Sequence, residues 1–289
     1  MLKAILKTMR PTQWTKNVFL LAALVFDRQI TIFDSLARTL AGFFLFCLLS
    51  SAIYVFNDLI DAPSDRNHPK KRYRPIASGQ LSERAAIITL LLLLAIILPL
   101  ASLLSWGFFA ICVTYLLLNI AYSRWLKHVA ILDVFIIASG FVLRVAAGVT
   151  LIHVERFSPW LFVITTLFAL YIGFGKRRSE LVLLAGDANL HRRVLEGYTI
   201  PFLDQLLSIL SATTIMAYSL YTFSAPNLPN NDVMMLTIPF VMYGIFRYLY
   251  LIHVKNAGGA PEDLVLTDRP LQIVVVLWGV AVLLIFYIF

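Results

Sequence analysis

The stretch LARTLAGFFLFCLLSSAIYVFNDLIDAPSD, residues 36–65, is apolar for most of its length and ends in three aspartates. An α-helix needs about 20 predominantly apolar residues to cross a bilayer core, so residues 36–60 predict a membrane span. Asp58, Asp61 and Asp65 follow one another at spacings of three and four residues. If the helix continues through this polar end, all three carboxylates lie on one face of it.

Runs of similar length recur along the whole chain, which is 60% hydrophobic and has a mean hydropathy of +0.83. This composition excludes a soluble domain and predicts an integral membrane protein. We count nine runs, at residues 16–32, 36–60, 84–104, 106–123, 130–152, 159–176, 200–223, 233–254 and 270–288. The first run is interrupted by Asp27 and Arg28. We therefore predict an all-α bundle of nine transmembrane helices that forms a single domain over residues 1–289, with an interfacial helix before the first span.

The distribution of basic residues predicts how the bundle is oriented. Of 24 Lys and Arg residues, nineteen lie at the amino terminus or in the even-numbered loops, three lie in the opposite loops, and Arg144 and Arg247 lie within spans. Short cytoplasmic loops collect positive charge, so we expect the amino terminus in the cytoplasm and the carboxyl terminus outside, in the inner (plasma) membrane. Topology and anionic lipids account for the net charge of +8, and no nucleic-acid partner is predicted.

The aspartates need a cation, because three like charges on one helix face repel one another and lose hydration near a membrane. Mg2+ binds hard oxygen ligands and completes its coordination with water and phosphate oxygens. Four basic side chains that suit phosphate follow the aspartates: Lys70, Lys71, Arg72 and Arg74. The pattern predicts a Mg2+–diphosphate site with Asp58, Asp61 and Asp65 as metal ligands. The alternative is a solvated loop in which the charges pair with one another, each pair contributing about 0–1 kcal/mol.

The acidic motif at residues 57–65 and the sequence RPIASG at residues 74–79 together resemble the UbiA-type superfamily of intramembrane prenyltransferases. This resemblance implies a nine-helix bundle in which a polar cytoplasmic chamber lies over a lipid-filled cavity. Most of the superfamily has a second aspartate-rich motif after the sixth helix, whereas this chain has GKRRSE at residues 175–180. That departure looks like the decaprenyl-phosphate phosphoribosyltransferase branch. Four more segments resemble the same branch: RPTQWTKN (10–17), AYSRWLKHVAILD (121–133), SGFVLRVAAG (139–148) and EDLVLTDRPLQ (262–272).

The resemblance to this branch implies transfer of the 5-phosphoribosyl group from phosphoribosyl diphosphate to a polyprenyl phosphate at the cytoplasmic face. Mg2+ is the implied cofactor and diphosphate the leaving group. In that branch the lipid product feeds arabinan precursor synthesis for the cell wall. The resemblance implies catalytic roles for Asp58, Asp61 and Lys176. Substrate contacts are expected from ten side chains: Lys16, Asn17, Asn57, Arg72, Arg74, Lys127, Arg144, Lys176, Arg177 and Glu180.

Two other functions remain open. A UbiA-type prenyltransferase would join a prenyl diphosphate to an aromatic or other small acceptor, although it would favour a second acidic motif. A transporter would place ionisable residues along a path at the membrane midplane, whereas the charge here lies at one membrane face. The sequence also leaves open the polyprenyl length, the number of Mg2+ ions and the oligomeric state, and a homo-oligomer is one possibility.

Several residues have two interpretations. Arg144 would contact a phosphate or a lipid headgroup, or it would form a structural pair with an acid or with helix-end carbonyls. Asp133 lies eleven residues earlier on nearly the same helix face. Arg247 has no acid in register on its helix and is expected to have a structural role or to extend its side chain to the membrane surface. Three acids of the last cytoplasmic loop would either join the site or face solvent: Glu262, Asp263 and Asp268.

Overall fold

The computed structural model describes residues 1–289 apart from 70, 154–157, 185–192, 227, 230, 231, 256, 258–263, 265, 266 and 289. All regular secondary structure in this described part is helical, with no β-strand, which confirms the all-α prediction. Ten α-helices occur in it, numbered in chain order: α1 (Leu2–Met9), α2 (Ala22–Phe26), α3 (Phe33–Asp65), α4 (Glu83–Leu104), α5 (Trp106–Arg124), α6 (Leu132–Val149), α7 (Pro159–Leu184), α8 (Ile200–Ser224), α9 (Ile238–His253) and α10 (Arg269–Ile288). Five 3-10 helices accompany them: Pro11–Leu21, Lys71–Tyr73, Leu126–His128, Arg193–Gly197 and Val233–Thr237. Lys70, Glu262 and Asp263, which the sequence singles out, lie outside the described residues.

Eight helices, α3 to α10, are long and apolar enough to cross a membrane. For α9 this length includes the 3-10 helix Val233–Thr237 that precedes it. The eight helices coincide with the second to ninth apolar runs, and α3 continues to Asp65, as the one-face arrangement of the aspartates requires. The first run, residues 16–32, has a different structure. It forms the 3-10 helix Pro11–Leu21 and then α2, and neither is among the eight.

The chain forms two compact units, of which the first comprises residues 1–126 and 143–154. In this unit α3 packs against α1, the 3-10 helix Pro11–Leu21, α4 and α5. Its main core is made of fully buried apolar side chains, among them Leu20, Phe46, Leu49, Ile97 and Phe108. The long helix α3 is therefore the centre around which the first unit is built.

The second unit comprises residues 127–142 and 155–289. In this unit α7 packs against α8 and α9 packs against α10. Its core includes the buried side chains Tyr171, Phe174, Leu203, Leu207 and Ile252. At one end of this unit Asp268 precedes α10, accepts the Leu271 N–H over 2.9 Å and binds the two nitrogens Nε and Nη2 of Arg247. The hydrogen bond from Arg247 is the main cause that lowers the pKa of Asp268, and the bond from the Leu271 N–H adds to it. Arg247 thus has the structural role expected of it.

The 3-10 helix Pro11–Leu21 is long for its kind, since such helices seldom exceed about four residues. A 3-10 helix has about 3.0 residues per turn, so side chains three apart share one face. Asn17 and Leu20 are buried on one such face, and on the same face the Trp14 indole N–H donates to Ser51 Oγ over 3.0 Å. The opposite row is exposed: Thr12, Thr15 and Val18. Contacts at a period of three therefore stabilise this segment as a 3-10 helix.

The backbone of this 3-10 helix also comes unusually close to α6. A Cβ atom placed on Gly148 would overlap the Leu20 carbonyl oxygen and would touch Ala23 Cβ at 3.5 Å. Only glycine leaves room for this approach. The first unit thus depends on a residue without a side chain at this position of α6.

Candidate active site

The acidic end of α3 is buried. Asp58 and Asp65 are each 2% exposed, and Asp61 between them is half-buried. A buried carboxylate without a positive partner is strongly unfavourable. The structure supplies two such partners, Arg10 and Arg74.

Arg10 and Arg74 converge on the same carboxylate oxygen. Arg10 Nη2 and Arg74 Nη1 both donate to Asp58 Oδ1, the second over 3.2 Å. Arg74 Nη1 also donates to Asp65 Oδ2 over 2.7 Å, so one guanidinium nitrogen bridges both buried acids. The Arg10 guanidinium lies 5.0 Å from the centre of the Tyr54 ring, at cation–π distance. Arg10 is therefore part of the candidate site, although the sequence did not single it out.

The RPIASG segment holds Arg74 in place. The chain turns directly after Arg74, and the Leu81 N–H donates to the Pro75 carbonyl over 2.9 Å. Gly79 has a φ of +78°, which glycine adopts without strain. Ile76 and Leu81 are buried in the first unit. The turn is thus anchored by apolar burial, and this fixes the residue that faces the acids.

The same carboxylates fit a magnesium ion. In the part of the chain that the structure describes, no three His, Cys, Asp or Glu side chains gather into a metal cluster. Mg2+, however, is usually bound by one or two carboxylates and completes its coordination with water and substrate phosphate. Asp58 and Asp65 offer hard oxygen ligands that already meet at one positive group. Their chemistry and convergence therefore suit Mg2+.

Asn57, next to Asp58, is held by the end of α5. The buried hydroxyl of Ser123 donates to Asn57 Oδ1. This contact orients the amide, because its carbonyl side is turned towards Ser123. Ser123 lies in the AYSRW segment, but nothing in the sequence connects it with Asn57. It is a positioning residue that only the structure reveals.

A second polar network in the first unit contains the predicted substrate residues Asn17 and Arg144. Arg144 is buried; its Nε donates to Asn17 Oδ1 over 2.8 Å and its Nη2 donates to the Tyr115 hydroxyl over 2.7 Å. Asn17 Nδ2 in turn donates to Ser50 Oγ over 3.1 Å. The Arg144 guanidinium also lies 5.5 Å from the Phe46 ring centre. This network connects the 3-10 helix Pro11–Leu21 with α3, α5 and α6.

Asp133 binds Arg177 of α7. It does not pair with Arg144, which lies on nearly the same face of α6. Arg177 is 2% exposed; its Nε donates to Asp133 Oδ2 over 2.7 Å and its Nη1 donates to Glu180 Oε2 over 2.6 Å. The hydroxyl of Tyr198 donates to the other oxygen, Asp133 Oδ1, over 2.6 Å. Asp133 itself is fully buried. Arg177 and Glu180 are both predicted to bind substrate. In the structure they bind each other, and Arg177 also binds the fully buried Asp133.

The network includes a strained residue. Ile131, just before α6, has a φ of +68°, a left-handed conformation that is rare for a β-branched residue and costs about 1–3 kcal/mol. Its backbone N–H donates to the Tyr198 hydroxyl. Burial, followed by the hydrogen bond to Asp133, raises the pKa of Tyr198 above the ordinary tyrosine value. The hydroxyl stays protonated and keeps donating to Asp133.

The remaining predicted residues lie nearer the surface of their own units. Lys16, Lys127 and Lys176 are half-buried, whereas Arg72 is exposed with its guanidinium 4.9 Å from the Tyr73 ring centre. Arg178, next to Arg177, donates to Asp204 Oδ1 over 2.6 Å and to the Ile252 carbonyl over 3.0 Å. At the end of α7, then, Arg177 and Arg178 are both buried and bound to protein partners, whereas Lys176 is more exposed than either of them.

Replacing Tyr198 by phenylalanine should lower the free energy of unfolding in detergent by about 1–3 kcal/mol, because buried Asp133 loses a donor and the Ile131 N–H loses its acceptor. The pKa of Tyr198 is raised in the folded chain. Its contribution is therefore fully present below the ordinary tyrosine pKa of about 10 and is lost as the pH rises above it. Thermal unfolding of both proteins between about pH 7 and pH 11 measures this difference. The exposed Tyr73→Phe variant is the control, and equal effects of the two variants would contradict the assignment.

Comparison with known proteins identifies the family of the chain. A model of the UbiA prenyltransferase family matches residues 18–263. The decaprenyl-phosphate phosphoribosyltransferase of Corynebacterium glutamicum is 32% identical over 98% of this chain and 86% of its own length. The protein of the same name from Mycolicibacterium smegmatis is 34% identical over 96% of this chain and 91% of its own.

Solved structures show the same fold. A UbiA homolog from Archaeoglobus fulgidus bound to GPP and Mg2+ is similar with a TM-score of 0.74, over 98% of this chain and 99% of that chain, at 21% identity. The fold, the eight helices that are long and apolar enough to cross a membrane, and the family match over most of the sequence agree with one another. This chain is an integral membrane protein that belongs to the UbiA prenyltransferase family.

Proposed function

We propose that the chain transfers the 5-phosphoribosyl group of phosphoribosyl diphosphate to the phosphate of a polyprenyl phosphate, such as decaprenyl phosphate, and releases diphosphate. The observation that carries this proposal is the pair of buried carboxylates, Asp58 and Asp65, which meet at one cation position at the end of α3. The relatives that are similar over almost the whole chain are named for this activity. Residues 1–289 would serve it as one functional domain.

The reaction makes one bond and breaks another at the anomeric carbon of the ribose. An oxygen of the acceptor phosphate forms the new bond, and the electron pair of the broken C–O bond leaves with the diphosphate. Fixed positive charge near the leaving group favours the transition state, because negative charge develops there. The acceptor phosphate is already an anion at neutral pH, so no strong general base is needed. Mg2+, when bound, would neutralise charge on the leaving diphosphate.

The acidic end of α3 would hold this ion. Asp58, Asp61 and Asp65 are its proposed ligands, and Asn57, oriented by Ser123, would order a neighbouring ligand or water. Three basic side chains that are half-buried or exposed would bind the 5-phosphate or the acceptor phosphate: Lys16, Arg72 and Lys127. The division follows from charge, since carboxylates bind the metal and cations bind the phosphates.

The end of α7 would supply Lys176 to a substrate phosphate. Its neighbour Arg177 is held by Asp133 and Glu180, so Arg177 would reach a phosphate only by leaving Asp133. In the first unit Arg144 is enclosed with Asn17 and Tyr115. We assign to Arg144 and Asn17 an indirect role, in which they hold the 3-10 helix that carries Lys16.

Labelled phosphoribosyl diphosphate tests the activity. Full-length protein in detergent, given this donor, decaprenyl phosphate and Mg2+, should form a labelled lipid, and a chelator should abolish it. Asp61→Ala and Lys176→Ala should each lower the rate about a hundredfold or more. Arg66→Gln, which removes a charge from an exposed pair with Glu83, should keep the rate of the wild type. If no labelled lipid forms but a prenyl diphosphate reacts with an aromatic acceptor, the chain is a prenyltransferase; solute transport without a covalent product would indicate a transporter.

We further propose nine crossings of the inner membrane, with the amino terminus and the active site in the cytoplasm. The eleven residues of the 3-10 helix Pro11–Leu21 rise about 22 Å and the five residues of α2 about 7 Å, together about the thickness of a hydrocarbon core. The segment is thus long enough to cross the membrane as a 3-10 helix followed by α2, although the same residues would be too short to cross it as an α-helix. The excess of Lys and Arg at the amino terminus and in alternate loops supports this orientation.

Reporter fusions distinguish nine crossings from eight. Nine crossings place the two termini on opposite sides, whereas eight place them on one side. Green fluorescent protein fused before Met1 should fluoresce in the cytoplasm, and alkaline phosphatase fused after residue 289 should be active outside. An inactive phosphatase there, together with a fluorescent carboxyl-terminal fusion, would show that the 3-10 helix does not complete a crossing.

A further inference from the structure

The arginine that neutralises the acidic end of α3 occupies the place that a metal would need. Arg74 Nη1 lies 3.2 Å from Asp58 Oδ1 and 2.7 Å from Asp65 Oδ2. A magnesium ion bound by the same two oxygens would lie about 2.0–2.1 Å from each of them. The nitrogen and the ion cannot both bind there, because two positive groups would share the same oxygen lone pairs at close range. Metal binding to both acids therefore requires Arg74 to leave.

Arg10 opposes the metal at Asp58 as well. Its guanidinium donates to the same Oδ1 atom, so this oxygen has two arginine donors before any metal arrives. Asp58 and Asp65 are each 2% exposed, and water cannot readily replace a lost partner at such positions. The acids are therefore stable in two arrangements, one paired with the arginines and one paired with a metal.

Both arginines can bind an anion once they leave the acids. Their side chains are 30% and 26% exposed, in contrast to the carboxylates that they hold. Arg10 lies between α1 and the 3-10 helix, and its other contact is the face of the Tyr54 ring. Guanidinium groups bind phosphate oxygens in a forked geometry. A diphosphate that arrives with the metal would therefore supply the acceptors that the two arginines lose.

We propose that Arg10 and Arg74 are counter-cations of the acidic end of α3 in the metal-free chain, and that they move to phosphate oxygens when metal and diphosphate bind together. This inference rests on the proposed function and adds an order of binding to it. A metal alone displaces the arginines without compensation, whereas a metal–diphosphate group replaces each broken contact with a new one. Metal and diphosphate thus each raise the affinity of the chain for the other.

Mn2+ is the probe, because it takes the same oxygen ligands as Mg2+ and its binding can be followed by electron paramagnetic resonance without turnover. Arg74→Gln in the detergent-purified full chain should bind Mn2+ alone about tenfold more tightly than wild type, because charge-assisted hydrogen bonds no longer have to be broken. With inorganic diphosphate present the order should reverse. The variant should then bind Mn2+ about tenfold more weakly, because the phosphate lacks a forked donor. Arg10→Gln should show both changes at about threefold.

Arg66→Gln is the matched control. It also removes one positive charge close to the end of α3, but its partner is the exposed Glu83. Its affinity for Mn2+ should change less than about twofold, because exposed charges are screened. A general electrostatic effect of lost charge would instead tighten Mn2+ binding in both variants, with and without diphosphate.

The outcomes separate this inference from the proposed function. If Arg74→Gln binds Mn2+ alone no more tightly than wild type does, the arginine does not compete with the metal and the inference is overturned. If Arg74→Gln unfolds in detergent, Arg10→Gln, which keeps the Arg74 bridge, is the deciding variant. It should also bind Mn2+ more tightly without diphosphate and more weakly with it, and a failure to do so overturns the inference. A wild-type chain that binds no Mn2+, with or without diphosphate, overturns the proposed metal site itself and this inference with it.

Discussion

Asp133→Ala is expected to lower the free energy of unfolding by about 3–5 kcal/mol. The carboxylate is fully buried and accepts hydrogen bonds from Arg177 and Tyr198. Without it Arg177, itself 2% exposed, keeps its charge where water has little access. Thermal unfolding in detergent measures the loss. Glu83→Ala is the control, because Glu83 pairs with Arg66 at 3.0 Å and both side chains are more than half exposed, and it should cost about 1 kcal/mol or less.

The double variant Asp133→Leu with Arg177→Met separates two roles for Arg177. Apolar side chains of similar size often replace a buried ion pair without loss of stability, so the double variant should recover most of what Asp133→Ala loses. If Arg177 only holds the end of α7, phosphoribosyl transfer recovers as well. A stable but inactive double variant would show that Arg177 touches a substrate phosphate. A double variant as unstable as Asp133→Ala would show that the ion pair is not the source of the loss.

Gly148→Ala is expected to destabilise the first unit by about 3 kcal/mol or more. The added methyl group would overlap the Leu20 carbonyl oxygen, and a backbone atom cannot rotate away as a flexible side chain can. The 3-10 helix would have to move off α6, which would also break the contact between Asn17 and Arg144. We therefore expect phosphoribosyl transfer to fall together with stability.

Gly279→Ala is the matched control for this variant. Gly279 lies inside α10, and an added Cβ would meet nothing within 4 Å. The same substitution in an uncrowded helix should raise stability by about 0.5–1 kcal/mol. Thermal midpoints of the two variants in one detergent compare them directly. A Gly148→Ala protein as stable as wild type would show that the 3-10 helix is not held against α6 at this point.

The membrane helices are predictable from sequence because lipid thickness sets the length of an apolar run. The run at residues 84–104 predicts a span, and α4 covers Glu83–Leu104. The run at residues 159–176 also predicts one, but α7 continues to Leu184 through polar residues. Its polar end is helical because Arg177 and Arg178 find carboxylate partners in the second unit. Hydropathy alone carries no information about such partners.

The candidate site is predictable only where its residues are neighbours along the chain. The aspartates of α3 can be recognised because they share one helix face. Their partner Arg10 precedes Asp58 by 48 residues, and Tyr198 follows Asp133 by 65, so no local pattern connects them. Helical spacing places Asp133 on the face of Arg144, yet tertiary packing pairs it with Arg177.

The three-residue repeat of the segment Pro11–Leu21 makes it sensitive to insertions and deletions. Removing one residue between Trp14 and Asn17 would turn the preceding chain by about 120°, and Trp14 would lose Ser51. Removing three residues would keep the same face of the preceding chain against α3 but would shorten the segment by about 6 Å, a fifth of the hydrocarbon thickness. Natural variants should therefore differ freely at the outward positions Thr12 and Thr15 while conserving the number of residues from Trp14 to Leu20.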